Sequence, residues 1–161
     1  MKQLRILAIG LVAIATIYAC GDDKKPSSGS PAVSTTDNNP QSGENYDPKR
    51  GLGKFDESNV DVSTFSQEMA DAGKQIADVK CTSCHKITDE RLVGPGWKGV
   101  TEKHTPYWIM NFITNPDPMI DVDPELQTQL ELCLVRMPDQ SLSDTDAREI
   151  LEYMRQIDGA K

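Results

Sequence analysis

An all-α domain is the fold class this sequence predicts, and three observations carry it. Apolar residues recur at helical spacing, most clearly as Ala147, Ile150, Leu151, Met154 and Ile157. Helix-start signals stand at the head of such runs: Thr105-Pro106, Asp123-Pro124, and Ser143 with Asp144 and Asp146 behind it. No run alternates apolar and polar residues convincingly enough to form a strand. The chain of 161 residues has room for about one domain.

Taken in order, the first element is an address. Lys2 and Arg5 precede an apolar run from Ile6 to Ala19. That run is shorter than the about 20 residues of a spanning helix, and it has the layout of a secretory signal. Ile17-Tyr18-Ala19-Cys20 resembles a bacterial lipobox, with Ile17 and Tyr18 as departures from it. Residues 1–19 are therefore expected as a signal peptide, with lipidation at Cys20. An ordinary cleaved signal and an uncleaved anchor stay as alternatives. Residues 20–60 then hold Pro26, Pro31, Pro40 and Pro48 amid serines, asparagines and aspartates. Such a stretch buries too little to offset its ordering entropy, so a disordered tether is expected. Its r.m.s. span would be roughly 35 Å. Local turns packed on the domain around Leu52 to Phe55 are the alternative.

The folded part is expected over residues 61–161. Ser66 to Lys80 reads as a helix running directly into Cys81. Thr105 caps a second helix, with Pro106 at its first position and Tyr107, Trp108, Met110, Phe112 and Ile113 following. Asp123-Pro124 opens a third ahead of Leu126, Leu130 and Leu134, and Ser143 caps the last. Met119, between Pro118 and Ile120, is expected in a loop. With aromatic residues at 6% the core is thin, and something besides side chains should help fill it.

Composition excludes several classes. A hydrophobic fraction of 37% and a mean hydropathy of −0.50 rule out a polytopic membrane protein. A net charge of −8 works against binding nucleic acid or anionic lipid headgroups. Four cysteines are too few for a disulfide scaffold.

Cys81-Thr82-Ser83-Cys84-His85 is the attachment signature of c-type haem. Two cysteines three apart can each bond a vinyl group on one porphyrin edge, and the next residue, His85, then reaches the iron. A zinc site would need a second ligand pair, and only His104 and Cys133 remain, without finger or ribbon spacing. A thioredoxin-like pair would lie near a βαβ pattern, which the sequence lacks. The export signal also favours haem, which is attached after export.

The flanking residues extend this reading. Gly73-Lys74 precedes the motif, Leu92-Val93-Gly94-Pro95 and Gly96-Trp97-Lys98-Gly99-Val100 follow it, and Met137-Pro138 comes later. In this order the chain, over about Ser66 to Asp158, resembles the small class I cytochromes c. The resemblance implies a small cytochrome c fold wrapped around one covalently bound haem, with N- and C-terminal helices crossing. It implies thioethers from Cys81 and Cys84, His85 as proximal iron ligand, and the Pro95 carbonyl accepting from the other nitrogen of His85. Met137, 52 residues after His85, would be the distal ligand. Gly73 would let the first helix pass close to the last, against Tyr153.

Several residues compete for or adjoin these roles. Among six methionines, Met119 is the rival of Met137, and His104 offers a bis-histidine haem. Met69, Met110 and Met154 lie at core spacing. Cys133 has no place in the family pattern and is expected as a buried small hydrophobe, with a redox-sensitive thiol near the haem as the alternative. Arg136, Trp97 and Trp108 are candidates for meeting the haem propionates.

Iron held by both His and Met has no open position, so the resemblance implies an electron carrier rather than an enzyme. Implied partners are redox proteins: a quinol-oxidising complex, and a terminal oxidase or a reductase such as nitrous-oxide reductase. From Asp61 onward there are 10 Lys or Arg against 18 Asp or Glu, which makes docking through a lysine ring unexpected. The expected location is exported and membrane-anchored, facing the periplasm or the cell exterior. A haem peroxidase or gas-ligand sensor with an open or labile distal site, and a fixed subunit of a respiratory complex, are the alternatives.

Overall fold

The computed structural model describes residues 46–161. The expected signal peptide, Cys20 and most of the expected tether lie outside the described residues. Six helices follow one another: α1 (Gln67–Lys80), α2 (Val100–Lys103), α3 (Pro106–Thr114), α4 (Pro116–Val122), α5 (Pro124–Cys133) and α6 (Asp144–Ile157). There is no strand among the described residues.

Local chemistry sets the helix ends. Ser66 accepts from the Met69 amide at 3.3 Å and Thr105 from the Trp108 amide at 3.2 Å. Asp123 receives the amides of Glu125 and Leu126, and Ser143 forms a reciprocal capping box with Asp146. Pro106 and Pro124 open their helices, where the missing N–H costs nothing. Leu134 ends α5 in a left-handed conformation at φ 57° and is 85% exposed, so it is a cap and not part of the helical face.

The pairing of α1 with α6 is the main joint of the fold. Ala70, Gly73 and Ala77 form its small buried face on α1, and Ala147, Ile150 and Leu151 are buried on α6. A Cβ on Gly73 would lie 2.0 Å from the Glu149 carbonyl oxygen and 2.8 Å from the Ile150 amide nitrogen. The close approach expected of Gly73 is therefore to the Glu149–Ile150 backbone and not against Tyr153. Two backbones at that distance leave no room for any side chain between them.

Two expectations change. Met119 sits on α4 and not in a loop, fully buried. Pro116 and Pro118 both fall in the first turn of α4, where proline is tolerated, so the prolines beside Met119 mark a helix start. The boundary at residue 60 also moves. Residues 46–60, expected as the end of the tether, pack on α3, with Phe55 and Val60 buried. The cause is Asn111, which is buried on α3. Its side chain accepts from the Phe55 amide at 2.9 Å and donates to the carbonyls of Arg50 and Phe55 at 3.0 Å each. Gly53 leaves space for it, since a Cβ there would lie 2.1 Å from Asn111 Oδ1.

A buried charge anchors the next segment. Glu152 accepts from the Ser66 amide at 2.9 Å and pairs with Arg148 and Arg155. Those arginines reach on to the carbonyls of Asp61, Val62 and Thr64. Burial pushes the Glu152 carboxyl up, but the bonds from Arg148, the Ser66 amide and Arg155 outweigh it and hold it below the usual glutamate value.

Candidate functional site

Cys81, Cys84 and His85 are brought together by one turn that continues α1. The Cys81 amide still bonds the Ala77 carbonyl at 2.8 Å, and the amides of Cys84 and His85 both bond the Cys81 carbonyl, at 3.0 and 2.9 Å. That winding sets all three side chains on the wall of a cavity of about 650 Å³. Both cysteines are free thiols, half-buried. Burial pushes the Cys81 thiol above its usual value.

The loop after His85 folds back to position the imidazole. Val93 and Gly94 donate to the Cys84 carbonyl, and Trp97 donates to the Lys86 carbonyl at 2.9 Å. This brings the Pro95 carbonyl to 2.8 Å from His85 Nδ1. A carbonyl only accepts, so Nδ1 carries the proton and Nε2 keeps its lone pair. Gly94 clears the ring: a Cβ there would lie 2.4 Å from His85 Cε1. Burial lowers the basicity of His85, against the pull of the Pro95 bond, which favours the neutral imidazole that a metal requires. The Trp97 ring stands 6.0 Å from that of His85 and meets Tyr153 edge-on.

Met137 borders the same cavity, on the extended segment between α5 and α6. Met154 borders it too, from the buried face of α6. Met119 does not. It lies in the core, where a Cβ on Gly51 would meet its sulfur at 2.9 Å. His104 is on the cavity wall, stacked on Trp108 at 3.8 Å with its Nε2 4.0 Å from Glu125.

The residues expected near the propionates all border the cavity, but two are already engaged. Arg136 pairs with Asp117 and Asp121, and the Trp108 N–H donates to the Tyr46 hydroxyl at 3.2 Å. Cys133 departs from its expected burial. It is half-buried on the cavity wall, and its Sγ accepts from Arg91 Nη1 at 2.6 Å. Sequence reasoning passed over Arg91 and Tyr46, since no motif marks either and their partners lie 42 and 77 residues away.

These residues fit a haem. The volume lies within the ~300–1,000 Å³ of cofactor pockets. Its walls combine apolar side chains such as Trp97, Ile109, Ile113 and Leu126 with two thiols and a neutral imidazole. For zinc the fit is poor: among the described residues, no group of three or more His, Cys, Asp or Glu could hold a metal ion.

Comparison with known proteins agrees. Residues 70–158 match the cytochrome c family. Cytochrome c from Rhodothermus marinus is similar at 34% identity and a TM-score of 0.61, covering 66% of this chain and 90% of that one. An engineered form of that cytochrome is similar at 34% identity and a TM-score of 0.60, with the same coverage of 66% and 90%. A third structure, the engineered form bound to a carbene intermediate, is similar at 33% identity and a TM-score of 0.57, again over 66% and 90% of the two chains. No curated protein matches the chain. The cavity with its paired thiols and the match over more than half of the sequence lead to one statement: the chain belongs to the cytochrome c family, carries covalently attached haem c, and has the c-type haem domain of an electron-transfer protein.

Proposed function

We propose that this protein is a single-haem electron carrier with His/Met ligation, held at a membrane surface by a lipid on Cys20. Cys81 and Cys84 would bind the haem through thioethers, His85 Nε2 and the Met137 sulfur would ligate the iron, and Pro95 would orient His85. The observation that supports this most directly is the His85–Pro95 hydrogen bond at 2.8 Å, on the wall of a cavity that Met137 also borders. The haem supplies the one-electron redox chemistry. The chain's part is to hold the imidazole in one tautomer, close the distal position with Met137, and surround the centre with apolar side chains that raise its potential.

Tethering would raise effective concentration near membrane partners. Those partners are redox proteins: a quinol-oxidising complex on one side, and a terminal oxidase or a reductase such as nitrous-oxide reductase on the other. Export places the domain on the periplasmic or exterior face.

The test is an absorption spectrum of the haem-loaded protein, oxidised and reduced, with and without carbon monoxide. A far-red methionine–iron band and indifference to carbon monoxide are expected. Met137→Ala should lose that band and bind carbon monoxide, whereas Met119→Ala should keep it and lose stability instead. Rapid carbon monoxide binding by the unaltered chain would sink the closed-site reading in favour of a peroxidase or gas sensor.

A further inference from the structure

The segment that carries Met137 has little backbone structure to hold it. It runs between α5 and α6, and Leu134 and Ser141 at its two ends are non-glycine residues in the left-handed region, at φ 57° and 50°. A residue with a side chain keeps that conformation only where its surroundings impose it. Leu134 is largely exposed and has no packing of its own to do so. Among the described residues, no backbone-to-backbone hydrogen bond involves residues 135–142. The placing of Met137 therefore falls to side chains.

Two cations reach across from either side of it. Arg136, the residue before Met137, pairs with Asp121 and, through Nε at 3.4 Å, with Asp117. The two carboxylates stand four residues apart on α4, one above the other, so a planar guanidinium can span both. Three residues beyond Met137, the Gln140 carbonyl accepts from Lys80 Nζ at 2.9 Å. Lys80 ends α1 and precedes Cys81, so this bond ties the Met137 segment to the turn that bears the thiols. A lone surface ion pair contributes little, but one guanidinium shared by two carboxylates is a network, and a network fixes geometry.

We propose that Arg136, clasped by Asp117 and Asp121, and Lys80 are positioning residues for the distal iron ligand. They hold residues 134–141 so that the Met137 side chain stays at the cavity. This rests on the Met137 ligation proposed above. The clasp is ionic and open to solvent, with side-chain exposures of 39% for Arg136, 64% for Asp117 and 53% for Asp121. Dissolved salt screens charges so placed, which makes the hold on the distal ligand sensitive to ionic strength.

The test titrates the oxidised, haem-loaded chain with imidazole, which competes with Met137 for the iron. Loss of the far-red methionine–iron band gives the midpoint. Arg136→Gln should lower that midpoint about fivefold, the scale of a strong surface ion pair. Asp117→Asn with Asp121→Asn should lower it equally, and combining all three changes should add nothing. Arg136→Lys should recover part of the loss, and Lys80→Met should lower the midpoint by its own route. Salt raised from about 0.05 to about 1 M should lower the midpoint of the unaltered chain and barely move that of Arg136→Gln. Lys74→Gln, which breaks an exposed pair with Asp78 on α1, is the control and should change nothing. Helical content, followed by circular dichroism, separates these effects from unfolding, and the aspartate variants carry the test if Arg136→Gln does not fold. An unchanged midpoint in Arg136→Gln overturns the clasp. So does an unchanged midpoint in the aspartate variants, which would mean that Arg136 serves the haem directly. An unaltered chain that attaches haem but shows no far-red band overturns the Met137 reading itself, and the clasp with it.

Discussion

His85 is positioned by an atom ten residues away. The motif brings the histidine next to the thiols, but the Pro95 carbonyl decides which nitrogen faces the cavity. Gly94 has to be a glycine for that bond to form. Gly94→Ala should push the imidazole off its acceptor, because the added carbon would lie 2.4 Å from Cε1. The expected result is a weakened proximal bond, because the imidazole loses the acceptor that raises its basicity, read as a shifted haem spectrum and a higher reduction potential, with the helical content unchanged. At this scale the structure brings Cys81, Cys84 and His85 to one cavity wall and the Pro95 carbonyl to His85 Nδ1. The sequence misleads for Cys133, whose apolar neighbours Leu132 and Leu134 suggest burial. Leu134 caps α5 and leaves the helix, so Cys133 ends half-buried on the cavity wall beside Arg91.

Among elements, the capped helices followed from short-range chemistry and were read correctly. The Ser66, Thr105, Asp123 and Ser143 side chains each satisfy amides within three residues, so nothing distant is needed to place them. The segment over residues 46–60 was misread because its own composition is polar. What orders it is one buried amide on α3. Asn111→Ala should release three hydrogen bonds and leave two carbonyls and an amide without partners. A loss of about 2–4 kcal/mol is expected, at ~1 kcal/mol per bond plus a desolvation penalty. Thermal melting would measure it, and limited proteolysis should cut first between Arg50 and Phe55. Gly73→Ala addresses the α1–α6 joint. Its Cβ would meet the Glu149 backbone, which cannot rotate away, so helix separation costing roughly 1–3 kcal/mol or more is expected. Chemical denaturation is the check, and a change within error would disprove the contact.

Across the whole molecule, acidity and a buried acid combine into a pH dependence. Glu152 has a folded-state pKa below its unfolded one, so it takes up protons more readily when unfolded. Its stabilisation is fully present above the ordinary glutamate range and is lost as pH falls through the depressed folded value. Stability should therefore fall steeply on acidification below about pH 4. Glu152→Gln should flatten that slope and cost about 3–5 kcal/mol at neutral pH, because Arg148 and Arg155 lose their buried counter-charge. Equal acid slopes in parent and variant would show that other carboxylates govern acid unfolding.

The sequence by itself determined α1, α3, α5 and α6, the haem attachment motif and the order of the flanking landmarks. Each of these depends on neighbours within a few residues, which a linear pattern displays directly. The tertiary structure decided what lines the cavity. It put Met137 there and Met119 in the core, brought Pro95 to His85, set Arg91 against Cys133, and joined Tyr46 to Asp123 across 77 positions. Those pairings are absent from local spacing because they follow from which helix faces are buried together. A cavity wall is a property of the packed chain, and its members share no interval in the sequence.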